Sequence, residues 1–171
     1  MMGAKDHRED AAKEGSARCA ILTVTDTKTR ETDTSGRAAS EIFLKFGHSV
    51  VFHEIIPNDG KKIAEAAVRA LQGADLALTI GGTGAGRKDI SVESVRPLIE
   101  KELPGFGELF RALSAKEIGT AAMLSRATLG VTAEGKILLS LPGSENAVRL
   151  GLEGILMNEL KHLLRELRRR A

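Results

Sequence analysis

Short apolar runs typical of buried strands alternate with amphipathic runs typical of helices along most of this chain. The strand-like runs are "CAILTVTD", "HSVVFHEII", "ADLALTI" and "GKILLSL". Between the second and the third, "KKIAEAAVRALQG" carries its apolar residues at helical spacing. The third run is almost continuously apolar, which suits a sheet covered on both faces. This alternation predicts a three-layer α/β/α sandwich with a mainly parallel sheet.

The chain is expected to contain one domain behind a short N-terminal extension. Residues 1–17 are charged or small and show no periodicity, so they are predicted to be disordered. Residues 18–171 are predicted to form the domain, because neither a linker nor an internal repeat interrupts the alternation. Its first helix is predicted to end at Gly47, and a long last helix is predicted to follow "LPGS".

Composition and charge argue against several classes of function. The formal net charge is only +2, and the chain has neither Trp nor Tyr on which bases could stack. No apolar stretch approaches the roughly 20 residues of a membrane span, and the N-terminus lacks the hydrophobic core of a signal peptide. Cys19 is the only cysteine, and its apolar surroundings favour a buried thiol. We therefore expect a cytoplasmic protein that binds neither nucleic acid nor membranes.

The stretch "LALTIGGTGAGRKDIS" places four glycines directly after a predicted strand. Gly81, Gly82, Gly84 and Gly86 let a ligand approach the backbone amides closely, and Thr83 adds a hydroxyl donor. The loop matches neither the phosphate-binding pattern that ends in Gly-Lys-Ser/Thr nor the dinucleotide-binding pattern Gly-x-Gly-x-x-Gly. It is therefore predicted to hold an anionic ligand of another kind, and a tight turn without a ligand is the alternative.

Other predicted strand ends also carry residues suited to phosphates or metal ions. In open α/β sheets, ligands bind beyond the carboxyl ends of the strands. Both "LPGSENAV" and "DTSG" place a serine at a helix start, where it either helps to bind an anion or only caps the helix. Asp59 and Asp89 are the carboxylates that we single out for Mg²⁺, although loop aspartates also form turns and caps. The four histidines show no spacing typical of a metal site.

Several motifs, in the same order and at similar spacing, resemble the molybdenum-cofactor biosynthesis family. They are "GGTG" with "RKDIS", "LPGFGELFR", "LSAKEIGTAAMLSRA" and "SLPGSENAV". In addition, "TVTDTKTRETDTSG" is similar to the family's N-terminal signature. The family includes MoaB, Mog and the G domains of gephyrin and its plant counterpart. This short, single-domain chain looks closest to the MoaB branch, with a resemblance that runs from about Arg18 to Leu164.

The resemblance implies a molybdopterin-binding fold and molybdopterin adenylyltransfer. In that reaction ATP and molybdopterin give adenylylated molybdopterin and pyrophosphate, with Mg²⁺, and the proteins assemble as homotrimers or homohexamers. By motif, Asp89 would be catalytic and would hold Mg²⁺ or position the α-phosphate. The substrate- and nucleotide-binding residues implied by the other motifs are Asp26, Ser35, Gly36, Asn58, Gly81, Gly82, Thr83, Gly84, Pro142, Gly143 and Ser144.

One position departs from the family pattern. The family often has Asp directly after the proline that follows the second strand, whereas Pro57 is followed here by Asn58 and then Asp59. Asn58 can ligate a metal through its amide oxygen but brings no charge, so Asp59 is predicted to be the second catalytic, Mg²⁺-binding acid. Two other interpretations stay open. One is a non-catalytic molybdopterin-binding carrier or scaffold, and the other is an unrelated nucleotide-binding α/β protein without pterin affinity.

Overall fold

Six strands form one sheet at the centre of the fold. The structure, a computed structural model, describes residues 16–169. Its strands lie in the order β2-β1-β3-β6-β5-β4. The first four in that order are parallel, and the last two continue the sheet antiparallel, which confirms the predicted mainly parallel sheet. In chain order the strands are β1 (Arg18–Val24), β2 (Ser49–Ile56), β3 (Leu76–Ile80), β4 (Lys101–Glu102), β5 (Thr128–Val131) and β6 (Ile137–Leu141).

Helices cover both faces of this sheet. Two 3₁₀ turns, Arg96–Leu98 and Gly119–Leu124, follow the third and fourth helices, and a π turn, Leu152–Leu156, joins the last two. The helices are α1 (Thr34–Lys45), α2 (Gly60–Gly73), α3 (Ser91–Val95), α4 (Pro104–Ile118), α5 (Glu145–Gly151) and α6 (Met157–Arg168).

Each face of the sheet packs against its own apolar core. On one face, Phe43 of α1, Phe110 of α4 and Leu152 of the π turn belong to a single buried cluster. On the other face, Ile63 of α2 and Val95 of α3 belong to a second cluster. Burial of a large apolar side chain of this kind stabilises the fold by about 1.5–3 kcal/mol. The predicted three-layer architecture is therefore confirmed.

The antiparallel strands β4 and β5 were missed by the sequence analysis. Strand β4 has two residues, and β5 is the four-residue run "TLGV". Runs of that length are too short to show the alternation by which strands are recognised. Thr128 of β5 pairs with Ser140 near the carboxyl end of β6. Because β5 runs antiparallel, the segment just before it lies at the edge of the sheet where the parallel strands end.

The helix ends differ from the predicted ones in two places. Gly47 follows α1 with a φ of +79°, as its role at a helix end requires. Ser91, which ends the stretch "LALTIGGTGAGRKDIS" and is of a residue type that suits a helix cap, is instead the first residue of α3, and Ile90 takes the cap position. The predicted long last helix is present, but the π turn interrupts it.

The N-terminal end of the described chain is fixed to β2. Residues 1–15 of the predicted extension lie outside the described residues. The amide of Ala17, which is buried, donates to Nδ1 of His48 (3.1 Å), and its carbonyl accepts from the amide of Ser49 (3.0 Å). Cys19 is also buried, and burial raises the pKa of its thiol to about 12. No helix within residues 16–169 is long and apolar enough to cross a membrane.

Candidate active site at the carboxyl ends of the strands

The glycine loop, residues 81–90, leaves the carboxyl end of β3 and leads into α3. Gly81 and Gly82 have φ angles of +97° and +65°, which L side chains disfavour. The amide of Gly81 donates to the carbonyl of Leu141 (2.9 Å), and the carbonyl of Gly82 accepts from the amide of Ser91 (2.9 Å). These bonds fix the start of the loop between the ends of β3 and β6.

Gly84 and Gly86 serve the loop in another way, by leaving room for Asp89. A Cβ at Gly84 would lie 2.8 Å from Oδ2 of Asp89, and a Cβ at Gly86 would lie 2.7 Å from it. The amide of Gly86 donates to the same oxygen (2.9 Å). The other carboxylate oxygen, Oδ1, makes no hydrogen bond to the described residues. Asp89 therefore keeps a half-buried carboxylate with one oxygen available to a ligand.

A cavity of about 410 Å³ lies beside the glycine loop. Its volume falls within the range typical of small-molecule sites. Eight of the residues singled out from the sequence line it together, namely Gly81, Gly82, Thr83, Gly84, Asp89, Pro142, Gly143 and Ser144. The sequence predicts no binding role for the other lining residues, which are Phe110, Ser114, Glu117, Ile118, Leu124, Ser125, Asn146, Ala147 and Leu150.

The first turn of α5 forms another part of the wall of this cavity. Ser144 caps this helix, because its hydroxyl accepts from the amide of Ala147 (3.2 Å). Ser144, Asn146 and Ala147 all line the cavity. The amides and the dipole at a helix N-terminus favour an anion. The cavity thus lies between two backbone segments that suit negative charge.

Arg126 connects the segment before β5 to the glycine loop. Its Nε donates to the carbonyl of Thr83 (2.9 Å), and its Nη2 donates to the carbonyl of Asp89 (2.9 Å). Glu93 of α3 pairs with the same guanidinium, and this hydrogen bonding lowers the pKa of Glu93. Arg126 thereby fixes both ends of the segment that carries Asp89. Arg126 lies within the motif "LSAKEIGTAAMLSRA", but that motif predicts no role for it.

Asp26 and Asn58 lie together at the rim of the loop rather than in the lining of the cavity. The amide of Asn58 donates to Oδ1 of Asp26 (2.9 Å), and this bond lowers the pKa of Asp26. Lys88 of the loop lies 3.8 Å from the other oxygen of Asp26. A Cβ at Gly82 would lie 3.3 Å from the side-chain oxygen of Asn58. Both residues are therefore close to the glycine loop, and their role in substrate binding stays a prediction.

Asp59 is the N-cap of α2. Its Oδ1 accepts from the amide of Lys62 (3.0 Å), and the residue is exposed and does not line the cavity. Within residues 16–169, no group of three or more His, Cys, Asp or Glu is arranged to hold a metal ion. However, Mg²⁺ at nucleotide sites commonly takes only one or two carboxylates and completes its shell with phosphates and water. Asp89 fits that mode, and the predicted role of Asp59 stays a prediction.

Ser35 and Gly36 lie in a buried cap at the start of α1. Asp33, which is 1% exposed, accepts from the hydroxyl of Thr23 (2.6 Å), the amide of Gly36 (2.9 Å) and the hydroxyl of Ser35 (3.1 Å). Nε2 of His53 lies 3.2 Å from the same carboxylate. Burial alone would raise the pKa of Asp33, but these hydrogen bonds outweigh it and lower the pKa. The structure thus shows a capping role here, and substrate binding by Ser35 and Gly36 stays a prediction.

Two buried hydroxyls near the cavity have no hydrogen-bond partner among the described residues. They belong to Ser91, which faces Gly82, and to Ser125, which lines the cavity. An unsatisfied buried polar group costs about 1–3 kcal/mol. Both oxygens are inaccessible to solvent in this conformation, so a ligand in the cavity would reach the Ser125 hydroxyl only after that side chain rotated.

Comparison with known proteins agrees with this chemistry. Residues 20–162 match the model of a family described as "Probable molybdopterin binding domain". Molybdenum cofactor biosynthesis protein B of Bacillus cereus is 42% identical, over 98% of this chain and 99% of that protein. The molybdopterin adenylyltransferase of Pyrococcus furiosus is 40% identical, over 98% of this chain and 99% of that protein.

A solved structure extends the agreement to the fold. The crystal structure of the tungsten cofactor synthesizing protein MoaB from Pyrococcus furiosus superimposes with a TM-score of 0.83 and is 39% identical. The superposition covers 91% of this chain and 99% of that one. The chain therefore belongs to the molybdopterin-binding domain family of molybdenum-cofactor biosynthesis proteins, as its motifs predicted.

Proposed function

We propose that this protein is a molybdopterin adenylyltransferase, which transfers AMP from ATP to molybdopterin and releases pyrophosphate. The observation that carries the proposal is the convergence of the glycine loop, the start of α5 and Asp89 around one cavity of about 410 Å³. Such a cavity suits substrates that carry phosphate groups. The similarity to a molybdopterin adenylyltransferase over nearly the whole chain supports the same activity.

The chain's own groups would act by binding and by orientation. An oxygen of the molybdopterin phosphate attacks the α-phosphorus of ATP, the bond from that phosphorus to the bridging oxygen breaks, and pyrophosphate leaves with the electron pair. Backbone amides of residues 82–84 and of Glu145 and Asn146 at the start of α5 would hold phosphate oxygens of the substrates. Asp89 would hold Mg²⁺, which when bound would neutralise phosphate charge. Holding two anionic substrates in line accounts for most of the expected rate gain.

The direct test is transfer of label from ATP to molybdopterin. The purified protein would be mixed with molybdopterin, Mg²⁺ and ATP labelled at the α-phosphorus, and both labelled pterin and free pyrophosphate would be measured. We expect the two products in equal amounts. Bound pterin without any transfer of label would instead favour the carrier described below.

Asp89→Asn is the sharpest variant for the cavity carboxylate. Asparagine keeps an oxygen that can accept from the amide of Gly86, so the loop is expected to retain its shape, while the charge that would hold Mg²⁺ is lost. We expect kcat to fall by about 10²–10³-fold, with molybdopterin affinity retained. An Asp89→Asn protein that transferred AMP at the normal rate would remove Asp89 from the mechanism.

Variants of Asp59 separate a catalytic role from the cap that the structure shows. Asparagine is as good a helix cap as aspartate, whereas alanine is not. Asp59→Ala is therefore expected to lower the free energy of unfolding by about 1 kcal/mol, and Asp59→Asn is expected to leave it unchanged. Measurements of kcat on both variants complete the test, since a large loss shared by both would establish the predicted catalytic role.

A non-catalytic molybdopterin-binding carrier or scaffold is the second candidate. It is favoured by Asn58, which stands where the family often has an acid, and by the use of the neighbouring Asp59 as a helix cap. A carrier needs affinity for the pterin but not for ATP with Mg²⁺. Binding of molybdopterin with no ATP affinity and no turnover would identify it.

We also propose that the protein works in the cytoplasm as a homotrimer or homohexamer. Large apolar side chains are more than half exposed on and just after α4, which is typical of a surface that another subunit covers. This apolar patch consists of Ile118, Met123 and Leu124, whereas Leu109, nine residues before Ile118, lies on the opposite face of α4.

A further inference from the structure

A second cavity of about 410 Å³ adjoins the candidate active site at Ser125, which lines both. Its walls come from α3, the 3₁₀ turn after it, the first half of α4 and the segment that enters β5. Three guanidinium groups, from Arg96, Arg111 and Arg126, line this arginine cavity. None of the proposed steps of adenylyl transfer uses this space.

The positive charge of the arginine cavity is only partly balanced. Arg126 pairs with Glu93, and Nε of Arg96 lies 2.9 Å from Oε1 of Glu102. Arg111 has no carboxylate partner among the described residues. Its one hydrogen bond runs from Nη1 to the carbonyl of Ser125, and at 3.4 Å this bond is long. One guanidinium in the wall is thus left without a counter-charge.

The Arg111 guanidinium occupies space that is open because residue 107 is a glycine. One turn earlier on α4, Gly107 is buried against the segment that enters β5. A Cβ at this position would lie 3.0 Å from Nη1 and 3.2 Å from Nη2 of Arg111, and 2.8 Å from the carbonyl of Ala127. Any side chain at position 107 would therefore push the guanidinium out of the position it occupies.

A small oxyanion would satisfy the groups that the arginine cavity leaves unmatched. The planar fork of a guanidinium binds a phosphate or a carboxylate through two parallel hydrogen bonds. Apolar side chains, including Val92, Ile99 and Leu129, form much of the remaining lining, which suits the organic part of a small molecule.

We propose that the arginine cavity is a binding site for a small oxyanion of the phosphate or carboxylate class, held by Arg111 with Arg96 and Arg126 beside it. This site adjoins the glycine-loop cavity but binds through Arg111, because Arg126 already donates to Thr83, Asp89 and Glu93. The proposal stands independently of the adenylyltransferase proposal. Its ligand is a free small molecule that carries one such group.

Equilibrium dialysis of the full chain against ³²P-labelled inorganic phosphate tests the proposal, because it counts bound ions per chain. The wild-type protein is expected to show a phosphate site that Arg111→Gln weakens at least tenfold. Arg111→Lys, which keeps the charge but loses the fork, should weaken it to a smaller extent. Arg37→Gln removes an exposed positive charge from α1 and is the matched control, with no change expected.

A glycine-loop variant separates this site from the candidate active site. Gly82→Ala puts a side chain where φ is positive and Ser91 is close, so it should disturb phosphate binding at the loop and leave the arginine cavity unchanged.

Equal phosphate binding by wild-type and Arg111→Gln proteins would overturn the proposal. The proposal would also be overturned if the wild-type protein bound no phosphate and Arg111→Gln changed the mass of the oligomer, because the cavity would then belong to a subunit interface. Should Arg111→Gln fail to fold, Arg96→Gln replaces it, with a loss of at least threefold expected, because the Arg96 side chain is 63% exposed.

Discussion

At the scale of single residues, Arg126 has the widest influence on the candidate active site. Its guanidinium donates to the carbonyls of Thr83 and Asp89, which lie on either side of the exposed part of the glycine loop. These two bonds hold the loop in place, and the amides of residues 82–84, which donate to none of the described residues, stay available for phosphates. The shape of the anion site therefore depends on a residue that does not line it.

Arg126→Lys tests this dependence while keeping the charge. A lysine ammonium lacks the fork that reaches both carbonyls, so the loop is expected to lose at least one of its two supports. We expect kcat/KM for ATP to fall by about 10–100-fold, which corresponds to roughly 1.4–2.7 kcal/mol of transition-state stabilisation. Hydrogen exchange at the loop amides should become faster in the same variant. Glu93→Gln, which leaves the Arg126 guanidinium intact, should have a smaller effect on both measurements.

Sequence reasoning found the glycines and Ser144 but not Arg126 or Ser125. The former carry a local signal, since glycines after a strand and a serine before a helix predict their own backbone geometry. Arg126 is 43 residues from Thr83 along the chain, and an arginine in a loop predicts nothing by itself. Asp59 shows an ambiguity that the sequence does not resolve, because an aspartate at a strand end has the same local pattern whether it caps a helix or faces a ligand. Its catalytic role stays a prediction.

At the scale of secondary-structure elements, the start of α1 depends on one buried carboxylate. Asp33 is both the N-cap of α1 and the acceptor for hydroxyls of β1 and of the helix itself. Asp33→Ala would leave the Thr23 hydroxyl and the Gly36 amide without an acceptor. We expect the free energy of unfolding to fall by about 2–4 kcal/mol in chemical denaturation. Asp59→Ala, an exposed cap, is the comparison, and an equal loss in both variants would contradict a special role for Asp33.

The lowered pKa of Asp33 also predicts how the stability of the fold changes with pH. Because this pKa is lower in the folded than in the unfolded protein, the carboxylate stabilises the fold above the unfolded value of about 3.9. That contribution is lost as the pH falls from there through the folded value. The stability difference between wild-type and Asp33→Asn proteins should therefore shrink below about pH 4.

Elements with strong local signals were predicted, and those that depend on distant pairing were not. Strands β1, β3 and β6 are mostly apolar, and α2 has a clear amphipathic pattern. Strand β4 exists only because Lys101 and Glu102 pair with β5, and no pattern of two residues predicts such a pairing. The π turn was missed for a similar reason, since the apolar residues on either side of it keep helical spacing.

At the scale of the whole molecule, the apolar patch on and after α4 is the exposed surface that we expect another subunit to bury. Met123 is 77% exposed, and Ile118 and Leu124, which are 56% and 60% exposed, also line the candidate active site. Contact between subunits at this patch would therefore shield the cavity from water as well. The proposed assembly and the proposed activity are linked at these side chains.

Met123→Asp tests that link. A charge in the patch is expected to shift the protein from trimers or hexamers towards monomers in light scattering, and to reduce AMP transfer in parallel. Leu44→Asp introduces the same charge at a residue that is 60% exposed on α1, and it should leave the mass unchanged. An unaltered mass in Met123→Asp would place the subunit contacts elsewhere.

The last long helix of the fold consists of α5, the π turn and α6, and the π turn determines where this helix can lose a residue. The buried residues Val148, Leu152, Leu156, Leu160 and Leu164 recur every four positions. In a regular α-helix each such step advances the side chain by about 40° around the axis, and the wider π turn takes up part of this drift. Removal of one residue between Leu152 and Leu156 would leave these five buried positions four, three, four and four residues apart. That spacing is ordinary for an α-helix, so α6 would still face the core. The same deletion within α6 would turn every later side chain by about 100°, so natural length variation in this helix should be confined to the π turn.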